Sequence, residues 1–335
     1  MKFGNRFFIF NAIIFILIAC KQNPLDVDLP KKDLSLKFIN VDSLLINSAD
    51  SAAITSTHNH LKNILDELYL YEISMNLQER DSTLFSMGLY SFYKSDYVQQ
   101  LEQEKSQLYK LLPDLNDKAT LGFRYLNYHF PDLALPNHVL FMNKMFSSIN
   151  VSDSLITVGL ENYLGAENEV IKSIPSDQLY QWQKDAMNIS FLPRDIVLSW
   201  IQAHLFEEMD ESLARHIIQA GKVLYILKAC FPKQDDAYIL RYSEEDIKWA
   251  TKNEFAFWDY IVREELLFKN DPREKTNFLN EGPYTVGLPE KGPDRLGQFL
   301  GFQMVKQFMK QNKEISLYEL LEINYNKILQ AYEID

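Results

Sequence analysis

The chain has little glycine, almost no cysteine and a shortage of positive charge. Of its 335 residues only 11 are Gly and 2 are Cys. So few glycines, in long stretches without turn signals, speak against a many-stranded sheet joined by tight turns and favour helices. Two distant cysteines leave no room for a disulfide framework or a Cys-x-x-Cys motif. There is no phosphate-cradling glycine loop and no Gly-x-Ser-x-Gly elbow. The chain carries 34 Lys and Arg against 46 Asp and Glu, a formal charge of −12. A surface of that sign argues against nucleic acid and against adhesion to anionic headgroups as the basis of function. What is present is apolar material: 47% of the residues are hydrophobic, ample for a sizeable core.

The N-terminus is a separate unit. Lys2 and Arg6 precede an apolar run from Phe7 to Ala19, broken only by Asn11 and too short to span a bilayer. It closes on Leu17-Ile18-Ala19-Cys20. This reads as a lipoprotein signal over 1–19, with the small Ala19 fitting the peptidase and the Cys20 thiol taking the lipid. Two acyl chains give a stable anchor where one would be marginal. The first expected partner is therefore the lipid bilayer, through acylated Cys20. Loss of Lys2 and Arg6 takes the charge from −12 to −14. Cys230, in the apolar run Leu227–Phe231, then has no partner for an internal disulfide and reads as a small buried hydrophobe. Residues 20–50 read as a lipid-anchored tether with early extended structure near Leu34–Ile39, and 51–335 as a single mainly helical domain. Lys21-Gln22-Asn23 puts no acid after the cysteine, which favours the periplasmic face of the outer membrane.

Along the domain the fold class is mainly α (α+β). Helical spacing marks 61–70, Asp96–Leu112 before Pro113, Asp117 to Pro131, and Asp177–Met187 capped by Ser176. A long helix runs from a Ser243/Asp246 capping box to Leu266, and others cover Leu296–Met309 and 316–331. Gly297 and Gly301, one turn apart, predict close approach of another backbone. The β signal is Val139–Phe146 and Leu155–Gly159, joined by the polar stretch 150–154, and predicts a hairpin. The centre is Asp195–Phe206 and Ser212–Phe231, two apolar helical stripes joined by the acidic turn Glu207-Glu208-Met209-Asp210-Glu211: a helix hairpin.

Chemistry is sparse. The six histidines (58, 60, 129, 138, 204 and 216) are scattered. His58-Asn-His60 lacks a third ligand and reads as a polar helix entry. His204 and His216 lie on the two arms of the hairpin and could face one another; the weak candidates for a metal site are His204, His216 and Glu208. A different hydrolytic set would draw on His204 and His216 with Glu207, Glu208 or Glu254. The acidic turn reads first as solvated, with Asp210 or Ser212 capping the second arm. Glycan capture is a weaker reading, because Trp182, Trp200, Trp249 and Trp258 stand mostly at core spacing.

Several stretches together resemble the gliding-motility lipoprotein GldB family. They are the lipobox at Cys20, Val158–Gly165, Gln219–Tyr225, Tyr242–Trp249, Asn253-Glu254 with Trp258, Glu281–Tyr284 and Leu296–Val305. That family is similar to predicted zinc peptidases carrying His-Glu-x-x-His on the first arm of the hairpin, where two imidazoles four residues apart share a helix face and the Glu acts as base. Here that spacing gives Trp200-Ile201-Gln202-Ala203-His204. The first ligand is replaced by Trp and the base by Ile, and the third ligand's place, near Ala220-Gly221, holds no carboxylate. The resemblance implies a zincin-like helical domain with a small β-hairpin or sheet, without metal or other cofactor and without catalysis. It implies support of gliding motility, or of the secretion machinery tied to it, through other envelope proteins. A zinc-dependent peptidase with an atypical metal site is the alternative.

Overall fold

The computed structural model describes residues 23–31, 34–77, 85–207, 212–289 and 292–334. The expected signal segment 1–19, Cys20 and Glu208 lie outside them. A four-stranded sheet sits between two layers of helices. Its strands are β1 (Lys37–Asn40), β2 (His138–Phe141), β3 (Asn150–Val151) and β4 (Leu155–Val158), in the order β1-β2-β4-β3. β1, β2 and β4 are parallel, and β3 returns antiparallel on β4. Val139, Phe141, Ile156 and Val158 enter a large core on one face, while Leu140 and Leu155 enter a smaller core on the other. A parallel sheet covered on both sides demands this.

The hairpin expected over 139–159 is thereby corrected. Its two apolar runs are parallel neighbours, with Val139 opposite Ile156, and the antiparallel partner of the second run is the two-residue β3. Both runs are buried on both faces, so neither has a polar side that could separate a parallel pair from a hairpin. The polar stretch that suggested a turn supplies β3 instead.

The smaller core lies under α1 (Val41–Ile46), α2 (Ser51–Ile64), α3 (Glu67–Leu77) and α4 (Phe85–Tyr93). Asn40 and Asp50 cap α1 and α2 by accepting from Ser43 N at 3.0 Å and Ala53 N at 2.8 Å. The single helix expected over 61–70 breaks between α2 and α3. Much of the 20–50 span expected as a tether packs into the fold. β1 is part of the sheet, Val41 and Leu45 are sealed from solvent, and Leu25, Val27 and Leu29 pack on the large core. Asn23 Nδ2 also donates to Pro232 O at 2.8 Å.

α5 (Asp96–Tyr109) and α6 (Leu112–His129) follow, with Pro113 in the first turn of α6, where its missing N–H is harmless. Beyond the sheet come α7 (Glu169–Ser173) and α8 (Gln181–Asp185). The helix expected over 177–187 shrinks to α8, and Gln183 Oε1, not Ser176, closes its start by accepting from Tyr180 N at 2.9 Å.

The expected central hairpin is in place as α9 (Leu192–Leu205) and α10 (Leu213–Cys230). After it come α11 (Asp236–Leu240), α12 (Glu244–Lys252), α13 (Glu254–Arg263), α14 (Pro272–Leu279), α15 (Leu296–Gln311), α16 (Leu317–Glu322) and α17 (Tyr325–Gln330). The Ser243/Asp246 capping box holds at 3.1 Å in both directions. The long helix expected through Leu266 is broken at Asn253, and the one over 316–331 at Ile323-Asn324.

α10 crosses α15 with their backbones touching. A Cβ on Gly301 would stand 1.9 Å from Ile217 O, and one on Gly221 2.1 Å from Gly301 O. Gly297 plays the same part against Phe278 O of α14, at 2.8 Å. The close approach predicted at Gly297 and Gly301 is present at both, against α14 and α10 respectively, and Gly301 with Gly221 locks α10 and α15 together.

Charge is buried where the parallel strands end. Lys144, just past β2, pairs with Glu72 and lies 3.0 Å from Thr157 Oγ1. Glu72 also accepts from Thr157 at 2.7 Å and Asn150 at 2.8 Å. Nearby, Lys105 Nζ meets Asp42 Oδ2 at 2.5 Å, and Asp42 Oδ1 accepts from Asn143 N at 2.9 Å. These groups are almost wholly sealed, so each charge depends on its partner.

Candidate functional site

The positions singled out on the central hairpin divide sharply. Trp200 and Ile201 are fully buried in the large core. The Trp200 indole packs edge-on against Phe123 and donates from Nε1 to Ala134 O at 3.1 Å. His204 lies flat on that indole, with ring centres 3.8 Å apart, and its Nδ1 is 3.2 Å from Trp200 O. His216 faces a different space, a hollow it shares with Glu207 and Gln219 that His204 does not line. Glu254, on α13, is taken by Tyr332 OH at 2.5 Å, and burial raises its carboxyl. His58 is a core residue whose Nδ1 meets Tyr69 OH at 3.0 Å, and burial lowers its imidazole. His204, His216 and Glu254 are therefore not brought together; of the other two acids weighed with the histidines, Glu207 shares the His216 hollow and Glu208 lies outside the described residues. Among the described residues no three His, Cys, Asp or Glu side chains group to hold a metal ion.

The open space lies on the other side of α9. Three adjoining hollows of about 490, 1050 and 590 Å³ run along its exposed face and past the starts of α9 and α15. The largest is walled by Leu198, Gln202 and Ala203 of α9, by Ala220 and Val223 of α10, and by the edge strand β3. Glu281 lines all three, and Arg241 and Arg295 line two each. Trp182, expected at core spacing, lines two of them.

Three arginines and three carboxylates converge here. Arg194 is spent on structure: Nη1 meets Asp195 Oδ1 at 2.7 Å, while Nε and Nη2 donate to Ile239 O at 2.9 and 2.7 Å. Burial lowers its guanidinium, and Asp195 pulls it back. Asp195 also accepts from Tyr163 OH at 3.0 Å and lies 3.4 Å from Arg241 Nη1. Arg241 Nη2 donates to Ala186 O at 2.9 Å, and its guanidinium covers the Phe191 ring. Arg295 Nη2 reaches Arg241 O at 3.4 Å, and its guanidinium covers the Tyr242 ring. Burial works against the Arg295 charge, but Asp294 and Glu281 raise it overall.

Both arginines are held in the left-handed region, Arg241 at φ 56° and Arg295 at φ 52°. For Arg241, at the end of α11, that is an ordinary way to stop a helix, though glycine does it more cheaply. Arg295 precedes α15, where an extended residue is the rule, so its backbone departs from the usual N-cap. Backbone held this way costs on the order of 1–3 kcal/mol per residue and gathers at clamps and sites.

A family model described as gliding motility protein GldB matches residues 22–333. The chain belongs to the GldB family. Comparison with curated proteins and with solved structures gives no match. Membership carries a role in gliding motility and association with the cell envelope, and among the described residues no helix is long and apolar enough to cross a membrane. On this GldB scaffold Trp200 and Ile201 do not fit the zinc ion that the sequence resemblance raised. An indole and a butyl group offer no donor, and both side chains are sealed in the core. Sequence reasoning missed Arg194, Arg241 and Arg295. The last two sit singly at helix boundaries 54 residues apart, where no periodicity marks them. The one available signal was that each immediately precedes a stretch resembling GldB, at Tyr242 and at Leu296.

Proposed function

We propose that this chain is a lipid-anchored, non-catalytic envelope component of the gliding machinery, or of the secretion apparatus linked to it, and that it holds a segment of a partner protein in the α9–α10 cleft. One observation carries the reading. The two positions that would supply a zinc ligand and a base are filled by Trp200 and Ile201 in the core, while a separate groove on the other side of α9 stays open at about 1050 Å³. A groove that keeps its walls without that pair still has the shape to grip a chain. Acylation of Cys20 would keep the acidic domain at the membrane, on the periplasmic face of the outer membrane.

Complementation tests it. Ala220 lines the groove from α10, and Ala220→Trp fills it from outside the core. A deletion strain carrying that variant is expected to accumulate the protein in its envelope and yet fail to spread. Normal spreading would remove the cleft from the function. The zinc hydrolase remains a second reading, because His216 and Glu207 both line this groove.

A further inference from the structure

We infer that the cleft recognises a carboxylate on the partner segment, held between Arg241 and Arg295 in the place where Glu281 now stands. The inference rests on the partner-segment reading above and names the chemistry of the segment: an acidic, extended peptide.

Four observations converge. The two guanidiniums face the same hollow, and Glu281 Oε1 lies between them at 3.9 Å from Arg241 Nη1 and 3.6 Å from Arg295 Nη1. Those separations exceed hydrogen-bond length, and the Glu281 side chain is 53% exposed. A carboxylate that stands in the right place yet makes no hydrogen bond there is a weak occupant. Next, Asp195 Oδ2 stands 3.4 Å from Arg241 Nη1, longer than a charge-assisted hydrogen bond, so the nitrogen that faces Glu281 is not fully met there. Donors left in this state reward an oxyanion that can meet them. Third, Phe191 and Tyr242 each cover one of the guanidiniums, which fixes both before any ligand arrives. Fourth, the groove leading away along α9 is flanked by apolar Leu198, Ala203 and Val223 and by β3, which ends the sheet. An extended peptide can lie along an exposed strand edge and set alternate side chains into such a groove. Glu281 then acts as a placeholder that limits access until a better carboxylate displaces it.

The test uses full-length, detergent-solubilised protein and two fluorescein-labelled octapeptide libraries, one with Glu fixed at a central position and the other with Gln there. Binding is read by fluorescence polarisation at low and high salt. The Glu library is expected to bind more tightly, with affinity falling as salt rises. Arg241→Ala and Arg295→Ala are each expected to weaken it about ten- to hundredfold, as loss of a charge-assisted pair does. Glu281→Gln, which removes the placeholder's charge, is expected to tighten binding, a gain that misfolding cannot imitate. If both libraries bind equally, or if Glu281→Gln leaves affinity unchanged, the carboxylate inference fails while the cleft reading stands. If neither library binds, both fail. If inorganic phosphate binds the arginines and neither peptide library does, the ligand is a free anion and the peptide is overturned.

Discussion

Gly301→Ala is the sharpest perturbation of the frame that shapes the cleft. The added methyl would stand 1.9 Å from Ile217 O, and C···O contacts ordinarily run at about 3.3 Å or more. The obstacle is backbone, so no rotamer change relieves it, and α15 must move more than an ångström off α10. That separation opens the packing of Phe299, Phe302 and Val305, all fully buried on α15. Overpacking of this kind costs about 1–3 kcal/mol and more where backbone must shift, and the gain in helix propensity returns at most about 1 kcal/mol. We expect a net loss of about 3 kcal/mol, or roughly 5–10 °C in Tm. Thermal unfolding followed by circular dichroism reads it, with Gly282→Ala as control, since its methyl would meet nothing nearer than Tyr284 O at 3.5 Å. Gly221→Ala/Gly301→Ala should lose less than the sum of the single losses, because helices already parted accept the second methyl. A Gly301→Ala protein with the wild-type Tm would refute the close crossing.

Lys144→Met leaves the Glu72 carboxylate buried without its cation and is expected to cost about 3–5 kcal/mol; Glu72→Gln/Lys144→Met should recover most of that in urea titrations. Burial pushes His129 down to about 4 from about 6.5, so the unfolded chain binds its proton more readily. Its contribution is complete above about pH 6.5 and is lost as pH falls toward 4, worth about 1–2 kcal/mol after allowance for its partial exposure. His129→Gln should flatten that part of the urea midpoint against pH curve relative to wild type. Cys230 is 1% exposed and its thiol is pushed up by burial, so a thiol reagent should modify it only as fast as the protein unfolds. Rapid labelling of native protein would contradict that burial.

What was legible in the chain follows from where a signal is local. The central hairpin was readable because each arm carries a continuous apolar stripe, and the Ser243/Asp246 cap because its partners are three residues apart. Gly297 and Gly301 were readable because a turn-spaced glycine pair serves close packing. The failures are non-local. Parallel pairing of β2 with β4 depends on helices that cover both faces, and neither strand records this in its own pattern. Breaks at Asn253 and Asn324 interrupt helices whose apolar spacing continues across them. The arginine pair was invisible because it joins two helix boundaries and the loop at Glu281, each unremarkable alone.

Trp200 and Ile201 are core residues at the positions where the resemblance would put a zinc ligand and a base, and the open groove across α9 is proposed as a place that binds and does not cut. Elemental analysis of the full-length protein, purified from envelope without chelators, tests this most directly. The account predicts zinc far below one ion per chain and no change on His216→Ala. One zinc per chain, lost on His204→Ala or His216→Ala, would contradict it.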